Sequence, residues 1–199
     1  GHETRVMGRT GGVMDDDEAR MRLLDAADAL FYTYGVQAVG MDRIRAESQV
    51  PLKRLYRVFP AKEALVAAYL DRHDQRWTAG LRRHVAAAQG DPREQVLAVF
   101  DWLAQWFGEP AFRGCAFLNA LGELGDTPAA VNDVARRHKA ELQRILNELA
   151  ADAGLPDALG AQLMILVEGA TAVAALAPGP APARRARAMA ETLLEHAVR

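Results

Sequence analysis

Six basic side chains are concentrated between Val39 and Lys62: Arg43, Arg45, Lys53, Arg54, Arg57 and Lys62, against the acids Asp42 and Glu47. That segment carries +4 over 24 residues, while the whole chain carries −2. Lysine and arginine at this density neutralise phosphates, and the arginine fork also fits the paired acceptors on a guanine edge. Pro51, at a first-turn position, opens a short helix with Leu52, Leu55, Tyr56 and Phe59 at helical spacing, and Pro60 ends it. Lys53, Arg54, Tyr56 and Arg57 ride on the same piece. Just before it, Met41 to about Glu47 makes another short helix with Met41 and Ile44 on one side. Two short helices in this order match a helix-turn-helix, whose second helix enters the major groove. By charge and periodicity alone, a solvated basic face on a small bundle would look the same.

A second set of residues is suited to holding a small molecule. Trp102 and Trp106 stand at i, i+4, offset from the Val96, Phe100, Leu103 and Phe107 stripe. With Phe112, Phe117, Leu118 and Met164 they are expected to line an apolar cavity between helices, although plain core packing or an interface would use the same residues. Glu168 lies within the apolar run Met164–Val173, where an unpaired carboxylate would be costly. It must face a pocket, pair across a dimer or sit at an exposed helix edge. Asn119 and Glu123, also at i, i+4, are weaker versions of the same signal. Cys115 has only Arg113 as a basic sequence neighbour, so it reads as a structural thiol with no activated thiolate. His73, His84, His138 and His196 show no metal-ligand clustering, and no metal or cofactor is expected. No Ser/His/Asp set, phosphate loop or paired-carboxylate spacing points to catalysis, so the chain is read as a non-enzyme.

The elements that must position these residues are all helices. No period-2 run rich in Val, Ile and Thr occurs, and no Asn-Gly or Asp-Gly hairpin signal. The spacing predicts about nine helices in an all-α fold. The first starts in Asp15–Glu18, carries Leu23, Leu24, Ala27, Leu30, Phe31 and Tyr34 on one face, and stops at Gly35. A fourth runs from near Ala61 to Gly90, a fifth from Asp91-Pro92 to Phe107, a sixth over about 113–124 and a seventh over about 129–152. Gly154 and Pro156 precede the apolar eighth, and PGPAP at 178–182 precedes the ninth. Residues 158–177 hold a single charge over 20 residues, yet Glu168 at their centre and their many Ala and Gly favour a buried helix over a membrane span.

With 199 residues, 50% of them hydrophobic, and one cysteine, the chain suits one domain or two small ones without disulfides. Residues 1–14, opening GHETRVMGRTGG, read as a disordered leader whose first two residues are left from a tag. Residues 15–60 read as the helix-turn-helix unit and 61–199 as a ligand-binding and dimerisation unit. Without a signal peptide, the expected location is the cytoplasm.

Residues 22–70 resemble the N-terminal DNA-binding domain of the tetracycline-repressor (TetR/AcrR) family. The likeness is carried by the Ala-Ala-Asp-Ala-Leu-Phe run ending in Tyr34-Gly35, by Gly40-Met41-Asp42-Arg43-Ile44, by Leu55-Tyr56-Arg57-Val58-Phe59-Pro60 and by Lys62-Glu63-Ala64-Leu65. It implies that Tyr56 and Lys62 touch the DNA backbone, with Arg43 beside phosphates and Leu55 and Phe59 in the core. Ser48 and Gln49 occupy the turn in place of a small residue and Gly. Leu52 and Arg54 stand where Lys and Thr are common, and Ala61 gives the fourth helix no side-chain cap. Val58 replaces a usual His, and Arg54 is expected to supply the lost phosphate contact. The candidate DNA-contacting set is therefore Arg43, Pro51, Leu52, Lys53, Arg54, Tyr56, Arg57 and Lys62.

The apolar stripes of the eighth and ninth helices would expose too much hydrophobic surface on a monomer, so a homodimer through these helices is expected. Together these readings describe a repressor released from a pseudo-palindromic duplex operator by a small apolar effector. The alternative is a helical ligand-binding or adaptor protein that has lost DNA binding.

Overall fold

The computed structural model describes residues 14–197, so the expected leader lies outside the described residues apart from Met14, which packs against the core of the first helices. Nine helices and no strand occur among the described residues: α1 (Asp16–Tyr34), α2 (Met41–Ser48), α3 (Leu52–Val58), α4 (Lys62–Ala87), α5 (Pro92–Phe107), α6 (Ala116–Leu124), α7 (Ala129–Asp152), α8 (Ala158–Leu176) and α9 (Ala181–His196).

Local chemistry sets most of the boundaries. The Asp15 carboxylate accepts from the Glu18 amide at 2.7 Å and caps α1, whose first turn adds Asp16, Asp17 and Glu18 at the positive end of the dipole. Gly35 closes the helix at φ 89°, and a Cβ there would lie 2.6 Å from the Glu123 carboxylate, so both backbone and space select glycine. Asp91 and Pro92 start α5 as expected. The sixth helix begins later than its expected residue 113: Gly114 sits at φ 84°, and the helix starts at Ala116. The turn between α2 and α3 forms without glycine. Gln49 takes the left-handed conformation at φ 56°, and the buried Ser48 hydroxyl accepts from the Val50 amide at 3.3 Å.

Two apolar clusters hold the chain together. The first joins α1–α3 to Leu65, Val66, Tyr69 and Leu70 of α4, and to Ala116, Phe117, Ala120, Val131, Val134 and Ala135 of α6 and α7. The second joins the far end of α4 to α5, the distal part of α7, α8 and α9. The head's core therefore continues past residue 60, and α4, about 39 Å long at 1.5 Å per residue, runs through both clusters. Arg72 pairs with Asp25 at 2.9 Å and with Asp28, and Arg76 reaches Asp28 at 2.8 Å, tying α1 to α4. Helix α8 is long and apolar enough to cross a membrane by composition, but it is packed between α7 and α9, with Leu163, Val167, Thr171 and Ala174 buried on one side. Its other side leaves Ile165, Val173 and Leu176 exposed.

Candidate nucleic-acid interface and interior cavity

Helix α3 is anchored by Leu55, fully buried, and by Phe59 just beyond its end. Burying those two turns the opposite side outward: Leu52, Lys53, Tyr56 and Arg57 are all exposed, with Leu52 and Tyr56 almost half accessible. Pro51 is exposed at the N-cap and fixes the entry of the chain into α3. Arg43 on α2 lies over the ring of Tyr34 at 4.1 Å, a cation–π contact that holds its guanidinium beside the head's surface. Lys62, the first residue of α4, is partly buried. That burial pulls its ammonium pKa down, against the opposing pull of Glu63 and Glu123. Six of the eight candidate residues, Arg43, Pro51, Leu52, Lys53, Tyr56 and Arg57, are thus exposed, and Lys62 is partly so.

Arg54 is placed differently from the free phosphate contact expected of it. Its side chain is only 20% exposed, and Nη1 lies 3.1 Å from Asp16 Oδ1. Arg57 Nη2 lies 3.0 Å from that same oxygen. The missed partner is the acidic first turn of α1, which the sequence offered as a helix start and nothing more.

Between α4, α5, α6, α7 and α8 lies a narrow cleft with about 10 Å³ of free volume, room for about one water molecule, so any larger occupant must part its walls. Its walls are Trp77, Trp106, Phe117, His73, His138, Leu142 and Val167, with Lys139, Glu168, Cys115 and Thr171 supplying polar atoms. Three of the eight residues expected to line a pocket border this cleft, Trp106, Phe117 and Glu168, while Leu118 and Asn119 border separate depressions at α6. The other five lie elsewhere. Trp102 stands edge-on to Trp77 at 4.6 Å, close against Gly80, where a Cβ would meet its ring at 3.3 Å. Phe112 is buried against Trp106 and Phe107, and Met164 packs on the second core. Leu118 is half exposed, and the Asn119 amide donates to the Arg113 carbonyl at 2.8 Å on the outer side of α6.

Glu168 has a partner the sequence reading did not find. Lys139 Nζ donates to its Oε1 at 2.6 Å, and both side chains are about one quarter exposed. The same ammonium stands 3.6 Å from Cys115 Sγ, so the thiol does have a basic neighbour, brought by α7 and invisible in sequence. Facing them, the His138 ring stacks on Phe117 at 4.0 Å and its Nδ1 lies 2.5 Å from Asp74 Oδ1. Burial would raise the Asp74 carboxyl, but the His138 contact and the Thr78 hydroxyl outweigh it and hold Asp74 below the usual carboxylate range. His73, packed against Phe117 and Tyr69, is pulled down to about 4 by burial, helped by His138. Lys139 could have been suspected only from the need of Glu168 for a cation.

The cleft borders the head through Phe117 of their shared apolar cluster, through His73 packed on Tyr32, and through the segment before α6. Tyr32 of α1 donates from its hydroxyl to the Gly114 carbonyl at 2.9 Å and accepts from the Arg113 amide at 2.8 Å, immediately before Cys115 and Phe117. Burial pushes that phenol up to about 12, so it stays protonated as a donor. The Gln37 amide donates to Glu123 Oε2 at 3.0 Å, a second tie between α6 and the head.

A basic helix-turn-helix head on a helical body with an interior cleft defines an all-helical, DNA-binding regulator. Family models agree: residues 23–69 match bacterial regulatory proteins of the tetR family, and residues 92–190 match the tetracyclin repressor-like C-terminal domain. A crystal structure of a TetR-family transcriptional regulator from Streptomyces coelicolor superposes with TM-score 0.78 at 36% identity, covering 91% of this chain and 96% of that one. The transcriptional activator FasR of Mycolicibacterium smegmatis is 34% identical over 98 residues, 48% of this chain and 45% of FasR. The transcriptional repressor NemR of Escherichia coli is 25% identical over 112 residues, 56% of each chain. The match thus spans about half the length of each of these two curated relatives. The chain belongs to the TetR family of bacterial transcriptional regulators.

Proposed function

We propose that this chain is a homodimeric repressor, released from a pseudo-palindromic operator when a small, largely apolar molecule occupies the cleft. The observation that carries the reading is the position of the cleft: Phe117 forms one wall, and the backbone three residues earlier is held by Tyr32 of the head. A molecule that spreads Trp106, Phe117 and Val167 must move the start of α6, and with it the purchase of the head on the body. The cleft is read as a sensing site and not a catalytic one. Its thermodynamic requirement is that the effector bind the released form more tightly, since an effector shifts the equilibrium only by its difference in affinity for the two forms.

The second copy would sit on the exposed side of α8 and α9. Ile165, Val173, Leu176 and Met189 are large apolar side chains left open there, around a shallow apolar depression flanked by Gly169, Ala170, Pro182 and Ala186. Burial of such a patch by a two-fold partner removes it from water and would set two α3 helices about 34–36 Å apart, the spacing of half-sites one turn apart on a duplex. The cytoplasm, where a bacterium keeps its DNA, is the compartment this role requires.

The test is a fluorescence-anisotropy titration of the full chain against duplexes recovered from the genome by affinity selection, at two salt concentrations. A dimer that binds a recovered duplex well above a scrambled one, and lets it go when a compound quenches the cleft tryptophans, is the expected result. Binding of that compound without loss of DNA affinity would refute the coupling. A chain that binds no duplex would be a ligand-binding or adaptor protein.

A further inference from the structure

The geometry points to Asp16 as a specificity-determining residue: its carboxylate holds Arg54 and Arg57 together and withholds them from indiscriminate phosphate contact. One oxygen, Oδ1, accepts from Arg54 Nη1 at 3.1 Å and from Arg57 Nη2 at 3.0 Å. The two arginines stand three apart on α3, on one side of the helix, and Asp16 lies on another element, the first residue of α1. Its neighbours are engaged otherwise. Asp15 caps the Glu18 amide, and Glu18 pairs with Arg22 at 2.6 Å, while Asp17 makes neither contact to α3.

Two guanidiniums sharing one carboxylate present about half the positive charge of two free ones, and they are held in one arrangement. Phosphates along any duplex attract free arginines without regard to sequence, and that attraction supplies nearly all non-specific binding. A phosphate that does not match the fixed arrangement of the pair is reached only when Arg54 or Arg57 leaves Asp16. On the proper site the unshared donors of the fixed pair meet their acceptors without that step, because Arg57 stays more than half exposed while paired. Asp16 therefore lowers binding to wrong sequences more than binding to the right one, which is how discrimination is raised without new attractive contacts.

The inference rests on α3 meeting the duplex, and the experiment keeps the two apart. Full-length wild type, Asp16→Asn, Asp16→Glu and Asp17→Asn are titrated by anisotropy against one genome-selected duplex and one scrambled duplex from low to moderate salt. Asp16→Asn is expected to tighten scrambled-duplex binding about three- to tenfold and to steepen its salt slope by about one, as one more phosphate contact would. Binding to the selected duplex is expected to change less than threefold, so the specificity ratio narrows. Asp16→Glu is expected to keep the wild-type ratio, and Asp17→Asn to move both duplexes equally and by less than twofold. Equal shifts for Asp16→Asn and Asp17→Asn, or an unchanged ratio in Asp16→Asn, would overturn the assignment. So would loss of binding to both duplexes in a variant that melts like wild type. A wild type that binds neither duplex overturns the groove-binding reading along with it.

Discussion

The head and the body solve opposite problems with the same element. In the head, Leu55 and Phe59 are buried so that Lys53, Tyr56 and Arg57 are thrown outward, with Asp16 of α1, in the same head, as partner to Arg57. In the body, the side chains that could bind a ligand point inward, from α4, α5, α6, α7 and α8, and meet only because those helices pack. An outward-facing site is defined by one helix and what anchors it. An inward-facing one is defined by the crossing of several, and a single helix face says little about it. The junction between them, where Tyr32 grips Arg113 and Gly114, belongs to both.

The comparison can be broken by disturbing either side. Leu55→Ala removes a fully buried side chain from the head and is expected to cost about 2–5 kcal/mol of stability, with duplex binding lost. Thermal melting followed by tryptophan fluorescence of the body would show whether the shared cluster carries the damage across α4. Glu168→Gln leaves the Lys139 ammonium without its carboxylate in a partly buried place. It is expected to cost about 1–2 kcal/mol, less than a fully buried pair because both side chains keep a quarter of their exposure to water. Duplex affinity without effector should stay within twofold, and a larger change would show that the cleft already governs the head when empty.

Lys62→Ala should leave melting nearly unchanged, weaken binding to selected and scrambled duplexes alike and flatten the salt slope by about one. A preserved slope would remove Lys62 from the interface. A further effect concerns acidity. His73 is held near 4 in the folded chain against an ordinary 6.5, so between those values the unfolded chain takes up a proton that the folded one refuses. Stability should therefore fall as pH is lowered from about 6.5 toward 4, and His73→Gln should flatten that part of a melting-temperature profile. An unaltered profile would place the acid sensitivity elsewhere in the molecule.

Much of this was legible in the chain because its signals are local. Asp15, Gly35, Pro51, Pro60 and Asp91-Pro92 each mark a boundary within a residue or two, since caps and fixed φ angles act on their own neighbours. The delayed start of α6 was not legible, because Gly114 is held by Tyr32 from a distant helix. Trp102 and Trp106 show the same limit inside the body: both lie on α5 one turn apart, but Trp106 borders the cleft while Trp102 is pressed against α4 at Gly80. Spacing says that two side chains share a helix face; it does not say which neighbouring helix that face will meet.

Taken alone, the amino-acid order determined nine helices, a basic head with its buried and exposed sides, and an apolar eighth helix, all consequences of period and capping that act over a few residues. The tertiary structure decided which polar groups meet: Asp16 with Arg54 and Arg57, Lys139 with Glu168 and Cys115, and Asp74 with His138. Such pairs join residues from 24 to 64 positions apart. Their meeting depends on how helices cross, a geometry set by packing of the whole core that no local pattern encodes.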